Sequence, residues 1–189
     1  MESRMRIIRR KELVDQPWKN GGGITREIAA DRRDGRLVWR LSMADVASDG
    51  PFSRFDGLSR ILTVVAGNGM QLISREQTLH AQYADPICFP GDWDITSKLN
   101  NGPLTDLNLI YDPALCEAAA SVSKGARQVS ASASTGQIAL LHVLKGDASL
   151  KEGEAIAAGD TVLMQSGTIH FMSQSGADII TLMLTIKAN

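Results

Sequence analysis

Cysteine is scarce in this chain of 189 residues: only Cys88 and Cys116 are present, and neither belongs to a CxxC pair. Two cysteines do not make a disulfide scaffold, so we expect both to be small buried side chains in a reducing compartment. The sequence also lacks an apolar run of about 20 residues, which a membrane-spanning helix needs, and it shows no secretion signal. These absences predict a cytoplasmic protein without membrane contact.

An excess of charge of one sign is missing as well. The 20 basic and 21 acidic residues give a formal net charge of −1. Because nucleic acids bind proteins through a concentrated basic surface, no nucleic-acid partner is predicted. Hydrophobic residues make up 43% of the chain and charged residues 22%, which is the balance of an ordinary globular protein.

Short strand-like segments fill most of the sequence. They are rich in β-branched or long apolar residues, and glycine, asparagine, aspartate or proline bounds each of them. The segments are LVWRLSMADV, RILTVVAG, MQLIS, LTDLNLIY, IALLHVL, TVLMQ and DIITLMLTI. Many short strands separated by glycine turns predict a sandwich or a barrel.

One helix is predicted, at residues 112–125, DPALCEAAASVSKG. Asp112 can cap this helix, Pro113 suits its first turn, and Gly125 can end it. The same segment could instead be a short helix that frays into a linker. The following stretch, ARQVSASASTG, holds few large apolar side chains, which indicates a connector or an exposed edge.

Two pairs of segments resemble each other across this connector. Residues 59–72 and 138–151 both place a glycine turn between two apolar strands, and residues 89–97 and 156–166 both place a Gly-Asp turn before a strand. A cupin-like barrel has this order of motifs, so two copies predict an all-β bicupin, two fused cupin-like β-barrels with one or two short helices. Chance similarity among short β segments is the alternative.

The connector also sets the predicted domains. Residues 1–125 are expected to form an N-terminal cupin-like barrel with a ligand pocket. Residues 126–189 are expected to form a smaller C-terminal barrel, which can share strands with the N-terminal part. The second barrel has a plainer apolar pattern, as expected of a barrel that its own core fills.

Signatures of catalysis are absent from the sequence. His80, His142 and His170 are the only histidines, and no two of them form the HxH pair typical of metal-binding cupins. We expect His142 and His170 to lie on strands as hydrogen-bonded barrel residues and His80 to lie in a loop, although three separate histidines could still converge. The chain has no GxSxG motif and no phosphate-binding loop. No catalytic residue, metal or other cofactor is therefore predicted.

A set of polar residues concentrates in the N-terminal part instead. On a strand, alternate side chains share a face, so polar residues two apart can line a barrel interior together. Structural salt bridges and turn caps are the alternative for each single residue, but the set as a whole indicates a pocket. The predicted ligand-binding residues are Lys19, Asn20, Gly22, Thr25, Arg26, Arg40, Ser42, Arg60, Asp106 and Asn108.

Three consecutive glycines, Gly21, Gly22 and Gly23, interrupt this polar set in PWKNGGGITREI. Glycine lets the backbone run close to a neighbour where a Cβ atom would collide, and its N–H groups can also bind a carboxylate. The neighbour is either the barrel wall or a bound ligand. The run can equally be a bulge that bends the first strand around a barrel corner.

These motifs together resemble the HutD/Ves family. The resemblance rests on PWKNGGGITREI, WRLSMADVASDGPFSRFDGLSRILTVVAGNGMQL, FPGDW and GPLTDLNLIY, which follow the family's order between residues 17 and 111. It implies a bicupin of about this length that is commonly dimeric. It also implies a link to histidine utilisation, where the family is thought to moderate the pathway by binding an intermediate such as formiminoglutamate or urocanate. Other members are linked to cold or stress responses.

The predicted function is the binding of a small anionic metabolite without catalysis, in a protein that forms a homodimer. Two alternatives remain open: a metal-dependent cupin enzyme that acts on a small carboxylate, and a structural partner protein. Within the expected pocket, Arg60 is predicted to need an anion, because an unpaired buried charge is too costly to persist. Asp106 is its expected partner in the empty protein.

Overall fold

The computed structural model describes residues 5–150, 153–173 and 179–189. Strands dominate these residues, and the one helical element is a 3-10 helix at Arg10–Glu12. No helix long and apolar enough to cross a membrane is found in the part of the chain that the structure describes. The strands are β1 Met5–Ile8, β2 Gln16–Pro17, β3 Gly23–Arg33, β4 Arg36–Val46, β5 Gly50–Pro51, β6 Ser59–Ala66, β7 Met70–Ile73, β8 Thr78–Ala81, β9 Ile87–Pro90, β10 Thr96–Leu99, β11 Leu104–Tyr111, β12 Cys116–Ala126, β13 Gln128–Ala133, β14 Gln137–Lys145, β15 Ala148–Leu150, β16 Ala155–Ile156, β17 Thr161–Met164, β18 Gly167–Ser173 and β19 Ile179–Ala188.

The chain forms two compact units. The first unit is Leu13–Cys116, and the second unit combines residues 5–12 with the described residues from 117 onward. The predicted boundary at residue 125 lies inside β12, nine residues beyond this division. The second unit therefore draws on both ends of the chain.

The first unit contains two sheets with an apolar core. The larger sheet has the order β2-β3-β4-β11-β6-β9, and the smaller one has the order β5-β10-β7-β8. Buried side chains from both sheets form the core, among them Val64 from β6, Leu72 from β7 and Phe89 from β9. Burial alternates along β7 and β10 of the smaller sheet because successive side chains point to opposite faces, whereas consecutive residues of β6 and β11 are buried on both faces.

The second unit repeats this plan with its own core. Its larger sheet has the order β1-β17-β14-β19-β12, and its smaller sheet has the order β13-β18-β15-β16. The segments 59–72 and 138–150 occupy matching places, since each leads from a strand of the larger sheet into a strand of the smaller one. The other pair differs, because residues 89–97 enter the smaller sheet through β10, whereas residues 156–166 enter the larger sheet through β17.

The predicted helix at residues 112–125 is wrong. Asp112 and Pro113 begin a single turn, in which Asp112 Oδ1 accepts from the Ala114 N–H and the Asp112 carbonyl accepts from the Cys116 N–H. From Cys116 onward the chain is strand β12, which pairs beside β19. Partly buried and exposed residues alternate along its first half, which is the period of a strand. The alanines and the end signals favour a helix, but pairing with β19 places the segment in a strand.

Candidate functional site

A cavity of about 660 Å³ opens in the first unit. The larger sheet contributes its polar side chains, and two segments between strands complete the wall. The lining residues are Gln16, Pro17, Trp18, Lys19, Asn20, Thr25, Arg40, Ser42, Ala44, Pro51, Phe52, Ser53, Phe55, Arg60, Asp106, Asn108 and Ile110.

Strand register brings the polar side chains together. Asn108 on β11 lies opposite Ser42 on β4, and Ile110 lies opposite both Arg40 on β4 and Arg60 on β6. Because residues two apart share a face, Asp106 and Asn108 point to the same side of the sheet. The alternation that the sequence predicted for LTDLNLIY therefore places both in the cavity wall.

Arg60 is the most deeply buried cation of the cavity, with 4% of its surface exposed. Its Nε donates to Asn108 Oδ1 at 3.3 Å, and one terminal nitrogen donates to the Ser53 carbonyl at 3.2 Å. Both acceptors are neutral. Among the described residues, Arg60 forms no ion pair with a carboxylate, so its charge is not matched by direct contact.

Three aromatic rings surround the same guanidinium. Its Cζ lies 5.2 Å from the ring centre of Phe52, 5.3 Å from Phe55 and 5.1 Å from Phe89. Such rings attract a cation through their faces and also keep water away from it. Burial lowers the pKa of Arg60 to about 10, against the charge of Asp106, so Arg60 still carries its proton at neutral pH.

Asp106 is buried in the cavity wall, with 1% of its surface exposed, and its Oδ1 has no hydrogen-bond partner. Burial raises the pKa of Asp106 to about 7, the charge of Arg60 acts against this rise, and Asp45 adds to it. The expected direct ion pair between Asp106 and Arg60 is not formed, although their charges interact. Asp106 therefore keeps its proton to a much higher pH than an ordinary aspartate does.

Arg40 supplies a second guanidinium to the cavity. Its Nε is buried without a hydrogen-bond partner, and its Cζ lies 5.4 Å from the ring centre of Phe55. Burial lowers the pKa of Arg40, while the charge of Glu27 opposes that shift. An N–H donor that is buried without an acceptor is costly, so Arg40 destabilises the protein at this position.

The glycine run shapes the rim of the cavity. Trp18 Nε1 donates to Thr25 Oγ1 at 2.7 Å, and the Gly22 N–H donates to Asn20 Oδ1 at 3.0 Å. At Gly23, a Cβ atom would collide with the Asp45 carbonyl oxygen and press on the Trp18 ring. The close neighbour of Gly23 is thus the protein itself, as in the barrel-wall interpretation.

Eight of the ten predicted ligand-binding residues line the cavity, and Gly22 and Arg26 do not. Arg26 lies one residue from Thr25 on β3 and so points to the other face of the strand. Its guanidinium pairs there with Asp15, and with Asp45 Oδ2 at 2.6 Å. Arg26 therefore lies outside the cavity wall, contrary to its predicted place in the pocket, and two carboxylates neutralise it there.

The sequence reasoning missed the aromatic surroundings of Arg60. Phe52 and Phe55 both lie in PFSRF, just before β6, and both line the cavity. Their separation of three residues, shortly before a strand whose second residue is the buried Arg60, is the signal for this cluster in the sequence. Because aromatic pairs are common in loops, this spacing indicates a site only in combination with Arg60.

The three histidines all lie on strands. His142 on β14 is buried with Nδ1 2.8 Å from Thr161 Oγ1, and His170 on β18 has Nδ1 2.8 Å from Ser130 Oγ. His80 lies on β8 and not in a loop. Burial lowers the pKa of His142 to about 4. Within residues 5–150, 153–173 and 179–189, no group of three or more His, Cys, Asp or Glu side chains is arranged to hold a metal ion.

Cys116 is buried, as predicted, but Cys88 is exposed on β9. The Cys116 thiol lies within 3.6 Å of two backbone carbonyls, and burial raises the pKa of this thiol. Phe89 on β9 packs into the core, so its neighbour Cys88 points to the opposite, uncovered face of the strand.

Two all-β units, each built from two sheets, define the chain as a bicupin. The fold is shared with YlbA from Escherichia coli, whose structure matches with a TM-score of 0.72 at 8% identity over 98% of this chain and 90% of that one. The profile of the HutD family matches residues 10–181, and the chain belongs to that family, as its motifs predicted.

Two relatives show this membership in detail. A 21.2 kDa protein encoded in the region 3′ of hutC in Pseudomonas putida is 38% identical over 136 residues, which is 70% of this chain and 72% of that protein. HutD from Pseudomonas fluorescens SBW25 (formate condition) is 30% identical, with a TM-score of 0.82 over 98% of this chain and 99% of the other. The family to which the chain belongs is thereby associated with histidine utilisation.

Proposed function

We propose that the protein binds a small carboxylate metabolite in the cavity of the first unit and moderates histidine utilisation without catalysing a reaction. The observation that carries this proposal is Arg60, a buried guanidinium with only neutral hydrogen-bond acceptors. A ligand carboxylate would supply the missing negative charge through a pair of charged hydrogen bonds.

The electrostatics of the cavity support an anion. Lys19, Arg40 and Arg60 contribute three cations to its wall, whereas Asp106 is the one carboxylate among its lining residues. A buried guanidinium is expensive when it is unpaired, so binding an anion recovers part of that cost. The aromatic rings of Phe52 and Phe55 lower the local dielectric constant, which strengthens attraction between a bound carboxylate and Arg60.

The size of the cavity supports a small molecule. Ligand sites of small metabolites occupy about 300–1,000 Å³ and combine apolar walls with a few placed polar groups. The cavity has a volume of about 660 Å³ and combines both kinds of side chain. Formiminoglutamate and urocanate both carry a carboxylate and are the preferred candidates, given the association of the family with histidine utilisation.

Isothermal calorimetry of the wild-type protein against urocanate, formiminoglutamate, formylglutamate and glutamate tests the proposal. We expect at least one of these carboxylates to bind with a stoichiometry of one per chain, and to remain chemically unchanged after prolonged incubation. The absence of binding by all four would overturn the proposed ligand class. Turnover that needs metal and stops after chelation would instead support a metal-dependent enzyme.

We further propose that the protein acts in the cytoplasm as a homodimer, following the family resemblance. The chain has a mass of 20.4 kDa, so light scattering during size-exclusion chromatography should give about twice that mass. A mass that stays at the single-chain value over the micromolar range would contradict the dimer and leave the ligand proposal intact.

A further inference from the structure

Asp106 is a buried acceptor that the protein leaves unused. The side chain lines the cavity, only 1% of its surface is exposed, and Oδ1 receives no hydrogen bond. Asn108, two residues further along the same face, accepts from Arg60. A carboxylate oxygen without a donor loses hydration without compensation, and native proteins rarely keep such a group unless it has a further role.

The backbone around Asp106 departs from the regular ladder. The pairing of β11 with β6 shifts between Thr105 and Asp106, where Val65 of β6 is the extra residue opposite β11. Bulges are frequent beside binding sites because they redirect a side chain. Two guanidinium groups share the cavity with Asp106: Arg60, which has neutral acceptors, and Arg40, whose Nε has none.

We propose that Asp106 makes the cavity selective for carboxylates that also carry an N–H donor, with Arg60 and Arg40 holding the ligand carboxylate while Asp106 accepts from the ligand nitrogen. The inference rests on the proposed function and specifies a second polar group on the ligand, an N–H donor. The expected class is an amino acid, an N-substituted amino acid or an azole carboxylic acid.

Chemical complementarity favours this class over a plain dicarboxylate. The cavity offers buried donors on Arg40 and Arg60 and one buried acceptor on Asp106, so a ligand must supply both an acceptor and a donor to satisfy all of them. A second carboxylate beside Asp106 would meet repulsion whenever Asp106 is ionised. A nitrogen that carries hydrogen would gain a charge-assisted hydrogen bond at the same place.

The charge state of Asp106 provides a readout that a merely structural aspartate would lack. Arg60 and Asp45 are the charged groups that act on it, and with burial they bring its pKa to about 7. As the pH rises from 6 to 8, Asp106 becomes ionised, so a protonated amine on the ligand gains attraction while a plain carboxylate loses affinity. The two kinds of ligand should therefore respond to pH in opposite directions.

Matched pairs of probes test the inference by calorimetry. L-Glutamate is compared with glutarate, which lacks the amine, and urocanate is compared with trans-3-(2-furyl)acrylate, which lacks the ring N–H. At pH 8 we expect the nitrogen-bearing member of the pair that binds to be preferred roughly tenfold or more, the scale of one charged hydrogen bond. For glutamate against glutarate, the preference should shrink at pH 6.

Asp106→Leu, which removes the acceptor, should bring this preference close to unity and abolish its dependence on pH. Asp85→Asn, a substitution at an exposed residue outside the cavity, should leave both unchanged. The pH series on the wild-type protein gives the answer even if Asp106→Leu does not fold. Equal affinity within each pair, or a preference that survives in Asp106→Leu, would overturn the inference and leave carboxylate binding standing. Failure of every probe with the wild-type protein would overturn the proposed function itself.

Discussion

Two ionisable side chains, Arg60 and Asp106, lie where the core of a barrel is normally apolar. Each is at least 96% buried, and the two interact as charges without forming an ion pair. The burial of both groups destabilises the fold relative to apolar side chains at the same positions. The free energy lost with their hydration exceeds the free energy gained from hydrogen bonds to neutral groups. Such a cost is typical of a binding site, which keeps unsatisfied groups for a ligand.

The pH dependence of stability should show the burial of Asp106. Because its folded pKa of about 7 lies above its unfolded value, the folded state holds the proton more strongly, and the free energy of unfolding falls as the pH rises from 4 to 7. Asp106→Asn removes that penalty. We expect the difference in free energy of unfolding between Asp106→Asn and the wild-type protein to be larger at pH 8 than at pH 5, by on the order of a few kcal/mol. Urea unfolding without ligand at the two pH values measures this difference. Parallel pH profiles for the two proteins would contradict the buried, proton-holding carboxyl.

The sequence predicts which side chains share a face of a strand where the two-residue period of the strand is followed. Asp106 and Asn108 were assigned to one face from their spacing, and both line the cavity. Thr25 and Arg26 were both assigned to the pocket, although adjacent strand residues point to opposite faces. Arg26 is nevertheless buried, because Asp15 and Asp45 neutralise it on the other side of β3. The sequence did not show these long-range partners.

At the scale of elements, the glycine run marks the place where β3 begins against β4. Gly21 has a positive φ of 73°, which suits a turn, and Gly23 is the first residue of the strand. The Trp18 ring packs over Gly23, while its indole N–H donates to Thr25. The run therefore holds one rim of the cavity in place through the backbone.

Gly23→Ala should destabilise the protein by roughly 1–3 kcal/mol, the usual cost of overpacking a tight site. The new methyl group would meet the Asp45 carbonyl oxygen, which cannot move without breaking the pairing of β3 with β4. Gly50→Ala is the matched control, since nothing lies within 4 Å of a Cβ atom there. Urea unfolding that shows equal stability for both variants would contradict the close approach at Gly23.

The predicted elements were most accurate where apolar periodicity was strong. LTDLNLIY and RILTVVAG correspond to β11 and β6, which lie side by side in the larger sheet. The helix predicted at residues 112–125 is not formed, although the alanines and the end signals favour it. Pairing with β19 favours the strand. Because β19 lies far along the sequence, no local signal at residues 112–125 reveals that partner.

At the scale of the whole molecule, the second unit depends on both ends of the chain. β1 pairs with β17 over four residues, from Met5 opposite Met164 to Ile8 opposite Thr161. Asp160, just before β17, accepts from the Arg9 guanidinium at 2.9 Å and from the Arg10 N–H at 2.9 Å. The sequence assigned the start of the chain to the first barrel, since strand partners this distant leave no local pattern.

Deletion of residues 1–12 should therefore lower the thermal unfolding midpoint of the protein, because it removes an entire strand from the larger sheet of the second unit. Asp160→Asn should reproduce part of the loss, about 1–3 kcal/mol, by weakening a charged hydrogen bond and a backbone contact. Glu117→Gln is a matched exposed control. If the deletion left the unfolding midpoint unchanged by calorimetry, the pairing of β1 with β17 would contribute nothing to stability.

Arg60 is proposed to bind the carboxylate of a small metabolite. Titration of wild-type protein and Arg60→Gln with whichever of urocanate, formiminoglutamate, formylglutamate or glutamate binds most tightly tests it directly. We expect Arg60→Gln to weaken binding by about 1.5–3 kcal/mol, the range for a charged hydrogen bond, with its strand-type circular dichroism intact. Arg127→Gln, at an exposed position in the second unit, should bind as the wild-type protein does. Unchanged affinity in a folded Arg60→Gln variant would contradict the account.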